Sequence, residues 1–279
     1  AVAASAELRA VPSNLDPPLA DTSAERAAYS FDGCVRDFFE GGQPECATGD
    51  TASGTTVTLI GDSHAAMLFP AFQQLATQRR WRVETLAKAG CPSVDVPVTN
   101  PLHRLAEGFQ HCDQWRGEIL ARLRAERPRL VVVSIWRQYG AGNWTPGFKS
   151  YDAAWVDSLN RLVQQLRGTG AQVLVLGPIP DPQSVVPVCL SGHLDDATAC
   201  SPARSTAVNQ PGIAAEAAAT AAGGGQYADL TDLFCTATRC PVIVGNTLVY
   251  LDWSHVTLQY SRQLAPALGA LADRALAHS

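Results

Sequence analysis

Residues 58–69 read TLIGDSHAAMLF: an apolar run closes at Gly61, and Ser63 follows between Asp62 and His64. Extended back to Thr56, the run TVTLIG has the length and β-branched content of a buried strand ending at a glycine. The next stretch, HAAMLFPAFQQLATQRR (64–80), repeats its apolar residues at helical spacing, with Pro70 placed to kink the helix. Ser63 therefore sits where a strand turns into a helix. In an open α/β sheet, ligands bind at that rim, beyond the carboxyl ends of the strands. A helix N-terminus there favours negative charge, which a tetrahedral acyl intermediate needs. The motif alone leaves two readings. Ser63 is a nucleophile, or the serine and aspartate cap the helix, a position both residue types favour.

Outward from this stretch, further strands are predicted at WRVETLAKAG (81–90), RLVVVSIW (129–136), AQVLVLGPIP (171–180) and QYADL (226–230). Helices are predicted over 113–126, 152–170, 213–222 and a closing run at 257–277 that contains Pro266. Strands alternating with helices predict an α/β fold, with a parallel sheet covered on both faces. One domain is expected over 51–279, with residues 1–50 packed on it as an extension. Residues 1–30 are rich in Ala, Pro and Asp, and SNLDPPLADT reads as an extended tether. Two stretches, 91–111 and 181–210, read as long irregular loops, a kind that is often functional.

Net charge is −5 over 279 residues and no basic stripe exists, which argues against nucleic acid as a partner. The eight cysteines, Cys34, Cys46, Cys91, Cys112, Cys189, Cys200, Cys235 and Cys240, suggest complete pairing, although about 105 connectivities are open to eight cysteines. Pairing neighbours along the chain gives four short loops. No C-x-x-C or H-x-x-x-H pair supports zinc, so no metal is expected. Disulfides imply an oxidising, extracytoplasmic location. The apolar stretches are strand-length, too short to span a membrane, and the first residues do not read as a signal peptide. An exported chain of this kind is expected to be a mature product or a piece of a larger membrane protein.

A nucleophilic serine needs a base, and the base an orienting acid. Near the end lies YLDWSHVTLQYS (250–261), in which Asp252 and His255 are three residues apart. That spacing places both side chains on one side of a turn. The carboxylate would hold one ring nitrogen while the other faces Ser63.

GDSH early and DWSH late resemble the first and last blocks of the SGNH (GDSL-like) hydrolase superfamily, with Gly90 in KAGCP standing where the second block contributes a glycine. The fuller pattern, LIGDSHAAMLFPAF, AGCP, a C-x(4)-C pair and YLDWSHVT, resembles the SGNH domain fused to acyltransferase-3 membrane proteins. The resemblance implies a three-layer α/β/α sandwich with a mainly parallel, flavodoxin-like five-stranded sheet. It also implies a Ser63–His255–Asp252 triad, with an oxyanion hole from the N–H groups of Ser63 and Gly90, and no cofactor. The partner it implies is a membrane acyltransferase domain that supplies the acyl donor, and the acceptor a cell-surface glycan or glycolipid. The chain departs from the superfamily in its third block. After the third strand it reads SIWRQYGAGNW, with no G-x-N-D, and Asn143 stands too far along to supply the usual oxyanion asparagine. A group near Ser134–Arg137 is the expected replacement.

Other residues are weighed on the same map. Asp62 is expected to structure the turn, and Asp229 and Asp232 to cap loops. His64, Trp136, Arg137, Tyr139 and Trp144 fall at the rim and are candidates for lining the substrate site, the aromatics by stacking on sugar rings. Trp81, Trp115 and Trp155 read as core, and His103, His111, His193 and His278 as loop or surface residues. Two functional alternatives stay open: a free-standing acetylesterase using the same triad, and an inactive glycan-binding or docking module.

Overall fold

The computed structural model describes residues 1–97, 107–139 and 150–278. Its strands are β1 (Val35–Arg36), β2 (Ala47–Gly49), β3 (Thr56–Gly61), β4 (Arg82–Lys88), β5 (Leu130–Ser134), β6 (Gln172–Leu176), β7 (Gln226–Ala228), and a small hairpin of β8 (Ile243–Val244) and β9 (Thr247–Leu248). The helices are α1 (Val2–Ser5), α2 (Thr22–Ala28), α3 (Ser63–Ala66), α4 (Phe69–Arg79), α5 (Glu107–Glu126), α6 (Ala153–Arg167), α7 (Val186–Ser191), α8 (Arg204–Ala207), α9 (Gln210–Ala222) and α10 (Leu258–Ala277).

The central five strands run β4-β3-β5-β6-β7, all parallel, which is the flavodoxin-like order expected. Among the described residues two short strands join these five, giving seven. β1 pairs parallel with the end of β4 and β2 antiparallel with its beginning, so the segment before the core covers the outer edge of β4. Strands this short leave no alternating pattern in the sequence, yet they occupy an edge that would otherwise be open to pairing.

Side-chain alternation divides the core. Val57 and Leu59 of β3, with Leu130 and Val132 of β5, pack with residues of α4 and α10 on one face. Ile60, Val131 and Val133 point to the other face, where Trp115 of α5 and Trp155 of α6 are buried. The three tryptophans read as core, Trp81, Trp115 and Trp155, are indeed 6%, 1% and 0% exposed.

Three further elements differ from the sequence reading. The helix after Ser63 is two helices: α3 ends at Ala66, and α4 restarts at Phe69 with Pro70 in its first turn. A proline there costs no hydrogen bond, because first-turn N–H groups have no intrahelical acceptor. The region 181–210 is partly helical (α7, a 3₁₀ turn at Ala197–Cys200, and α8), stapled by Cys189–Cys200. Within 1–30, the tether SNLDPPLADT runs into α2, whose Thr22 and Glu25 are buried. The other disulfides are Cys34–Cys46, Cys91–Cys112 and Cys235–Cys240, so every bridge joins sequence neighbours and no cysteine is free. Among the described residues no helix is long and apolar enough to cross a membrane.

The register aligns the ends of three strands: Gly61 pairs with Ala87 of β4 and with Ser134 of β5. Gly61 is a glycine of necessity. A Cβ there would lie 1.8 Å from the Ser134 carbonyl oxygen, at a φ of +150°. The segments carrying Ser63, Gly90 and Trp136 thus leave the sheet side by side.

Candidate active site

The turn out of β3 is built around Asp62. Its backbone is extended and its carboxylate is wholly buried, capping α3 by accepting from the His64 N–H at 2.8 Å. The same carboxylate accepts from the Trp136 N–H at 2.9 Å and the Tyr139 hydroxyl at 2.5 Å, tying the loop after β5 to the loop after β3. Burial raises the Asp62 pKa, and those three donors oppose the rise. Because Asp62 is the cap, Ser63 is left as the first helical residue, half-buried, with its hydroxyl free of capping duty. As a first-turn residue it has no intrahelical acceptor for its own N–H.

That hydroxyl meets the opposite end of the chain. Ser63 Oγ lies 2.9 Å from His255 Nε2, and His255 Nδ1 lies 2.9 Å from Asp252 Oδ2. The strip 252–255 is a tight turn in which Asp252 Oδ1 accepts from the backbone N–H groups of Ser254 and His255, each at 2.8 Å. A hydrogen bond from Leu251 N–H to the His255 carbonyl closes the turn. Burial works to raise the Asp252 pKa, but the His255 side chain and these two N–H donors outweigh it and hold the group at about 2. A carboxyl depressed in the folded state stabilises it above the unfolded pKa of 3.8, and the contribution is lost as pH falls towards about 2. Acid titration of urea-unfolding free energy should therefore include a loss of about 2 kcal/mol over that window, missing from an Asp252→Asn variant. An identical acid limb in both proteins would contradict this.

A cavity of about 600 Å³ opens over Ser63 and His255. Its walls are Ala89 and Gly90 after β4, Trp136 and Tyr139 after β5, Trp253, and several residues between Arg26 and Glu40. The last group is positioned from below. Lys88, fully buried at the end of β4, donates to the carbonyls of Asp37 and Glu40 at 2.7 and 2.5 Å. Gly90 takes a left-handed φ of +69°, a conformation glycine adopts without strain, and the Cys91–Cys112 bridge fixes its loop to α5. A smaller cavity of about 350 Å³ includes His64 and Gln138 in its lining, and Trp136, Trp253 and Ser254 border both spaces.

The expected substrate residues fare unequally. Trp136 stands at the rim, its ring edge-on to Trp253 at 5.4 Å. Trp253, two residues before His255 and inside DWSH, is 41% exposed, and nothing in the sequence alone singles it out. His64 borders the smaller cavity, 5.3 Å from the His255 ring; burial, with the nearby His255 and Arg137, depresses its pKa well below 6.5 and keeps it neutral. Tyr139 is 1% exposed and gives its hydroxyl to Asp62, so it acts as a strut with only its ring towards the cavity. Arg137 lines the smaller cavity with His64, but its charge is already paired. Its guanidinium is buried against Glu216, donating at 3.0 Å to each carboxylate oxygen, with further bonds to the carbonyls of Ile135 and Leu176. Those donors are committed to the core, where an unpaired buried carboxylate would be costly. In the stretch Ser134–Arg137, where a third oxyanion donor is expected, the Ser134 hydroxyl is engaged, donating to the His64 carbonyl at 3.1 Å. Trp144, Asn143 and His103 lie outside the described residues. Asp229 receives the Thr231 N–H at 2.9 Å and Asp232 pairs with Arg204 at 2.8 Å, and neither lines the cavity over Ser63. Two residues beside Asp252 and His255 that the sequence does not single out are Arg26, which donates to Asp252 Oδ2, and Tyr29, whose ring lies 6.0 Å from that of His255.

Solved structures with similar folds include the periplasmic domain of a lipopolysaccharide acetyltransferase of Salmonella ser. Paratyphi A (16% identity, 88% of each chain covered, TM-score 0.63). More distant are TesA (16% identity, 79% of this chain and 99% of that one, TM-score 0.44) and a putative GDSL-like lipase of Parabacteroides merdae (9%, 84% and 99%, TM-score 0.47). No curated protein matches the chain in sequence. The family model described as "SGNH domain (fused to AT3 domains)" matches residues 33–270. That span takes in GDSH, Gly90 and DWSH together, and the chain belongs to the SGNH domain family of the kind fused to AT3 domains.

Proposed function

We propose that this chain is the extracytoplasmic catalytic part of an O-acyltransferase, most simply an O-acetyltransferase, acting on a cell-surface glycan or glycolipid. The observation that carries the reading is the unbroken chain of contacts Ser63–His255–Asp252, with both links at 2.9 Å, at the floor of a cavity large enough for a sugar. Ser63 Oγ attacks the carbonyl carbon of an acyl ester or thioester as His255 Nε2 takes the hydroxyl proton. The tetrahedral oxyanion is held by the N–H groups of Ser63 and Gly90. Collapse expels the alcohol or thiol, which leaves with the proton from His255. A glycan hydroxyl then attacks the acyl-serine, His255 accepts its proton and returns it to Ser63 Oγ, and the acylated glycan departs. Asp252 fixes the tautomer throughout.

The type of family supports a membrane acyltransferase-3 domain as donor partner. In this reading residues 1–50 are the linker-extension and 51–279 the catalytic domain, with the family match reaching back to residue 33 and β1 and β2 of the extension joining the sheet. The four disulfides support an oxidising compartment. Trp253 and Trp136 offer ring faces and edges for a sugar at the rim. The test is incubation with an acetyl donor and candidate surface glycans, followed by mass spectrometry. Acetylated glycan that disappears with Ser63→Ala is expected. Free acetate alone, whatever glycan is present, would make the chain an acetylesterase instead.

A further inference from the structure

Helix α2 lies outside the sandwich, yet three contacts from α2 and its C-cap residue Tyr29 fall on residues 252–258, the turn carrying His255 and the start of α10. Arg26 Nη1 donates to Asp252 Oδ2, the Tyr29 hydroxyl donates to the Val256 carbonyl, and Glu25 Oε2 accepts the Leu258 N–H at 3.1 Å. Tyr29, the C-cap, stands four residues after Glu25 and three after Arg26, so its side chain adjoins both. Between them they fix the turn before and after His255. Asp252 is then fully used: two backbone N–H groups on Oδ1, the imidazole and the guanidinium on Oδ2. An ionised carboxylate has about four such sites, so none is left for water from the cavity.

We propose that Arg26 is a positioning residue of the active centre: it locks the rotation of the Asp252 carboxylate and so holds the His255 ring in line with Ser63. The proposal rests on the reading of Ser63 as nucleophile. Electrostatics alone argue the opposite sign. A guanidinium beside Asp252 weakens the pull of that carboxylate on an imidazolium. The benefit must then be geometric, and misplacement of a catalytic group by about 1 Å can cost 100-fold. The Arg26 side chain is 59% exposed and makes a single contact with the carboxylate, so its removal is compatible with folding, and a lysine can replace the one bond it makes.

The test is a double-mutant cycle with Asp252, read on an activated acetyl ester. Arg26→Ala should lower kcat about 10-fold with KM changed by less than about 2-fold, and Arg26→Lys should recover most of the loss. In an Asp252→Ala background the same Arg26→Ala change should cost less than about 2-fold, because the group it acts through is gone. An equal 10-fold loss in both backgrounds would overturn the proposal, as would a loss confined to KM, which would make Arg26 a substrate-binding cation. Full activity of Arg26→Ala, with normal dependence on Ser63, would end the Arg26 proposal alone. Turnover surviving in Ser63→Ala would end the nucleophile reading and the proposal with it.

Discussion

Ser63→Ala is expected to lower kcat for p-nitrophenyl acetate by at least about 10³-fold, with little change in thermal stability. The stability half follows from local structure. The cap of α3 is the Asp62 carboxylate, and the described hydrogen bond of the Ser63 hydroxyl is the one to His255. Deleting a half-buried hydroxyl with one side-chain partner costs on the order of 1 kcal/mol. The activity half follows from the absence of any described alternative at the position. The nearest hydroxyl on the catalytic turn, Ser254 Oγ, sits 3.2 Å from His255 Nδ1, on the wrong ring nitrogen to be deprotonated by Nε2. A variant that lost stability in step with activity would restore the capping interpretation of the motif.

Asp252→Asn should cost about 10³- to 10⁴-fold in kcat, for a reason specific to this turn. Oδ1 is held by two backbone N–H groups, so the asparagine carbonyl must take that place and its NH₂ must take the place of Oδ2. There it meets Nδ1 of His255 and the Arg26 guanidinium, both donors in the native site. The imidazole can satisfy the amide only by moving its proton to Nε2, which can then no longer accept from Ser63. Loss at every pH, not a shift of the acid limb, is the expected signature in kcat/KM profiles. Activity within about 10-fold of the native protein would show that His255 keeps its tautomer without the carboxylate.

The parts of the site that were legible in the sequence are those whose geometry is local. TVTLIG carries its own strand signal, GDSH its own turn, and D-x-x-H its own loop, and the parallel order of the sheet brings the ends together. Cysteine pairing was legible because each bridge joins neighbours. What escaped depends on distant partners. Arg137 looks like a rim cation until Glu216, 79 residues further on in an alanine-rich helix, claims it. Tyr139 looks like a sugar platform until Asp62 takes its hydroxyl. α2 has seven residues behind a proline-rich approach, too short for periodicity to stand out, and the contacts of this segment show only against residues 252–258. α7 begins with a proline in its first turn, which reads as loop when its partners are unknown.

The central claim is that Ser63 is activated by His255. The most direct measurement is labelling with a fluorophosphonate, followed by peptide mapping of the adduct. One adduct per chain on the peptide carrying Ser63, absent from Ser63→Ala and strongly slowed in His255→Ala, is the expected result. No adduct on a folded chain that still turns over acetyl esters, or an adduct on another residue, would contradict it.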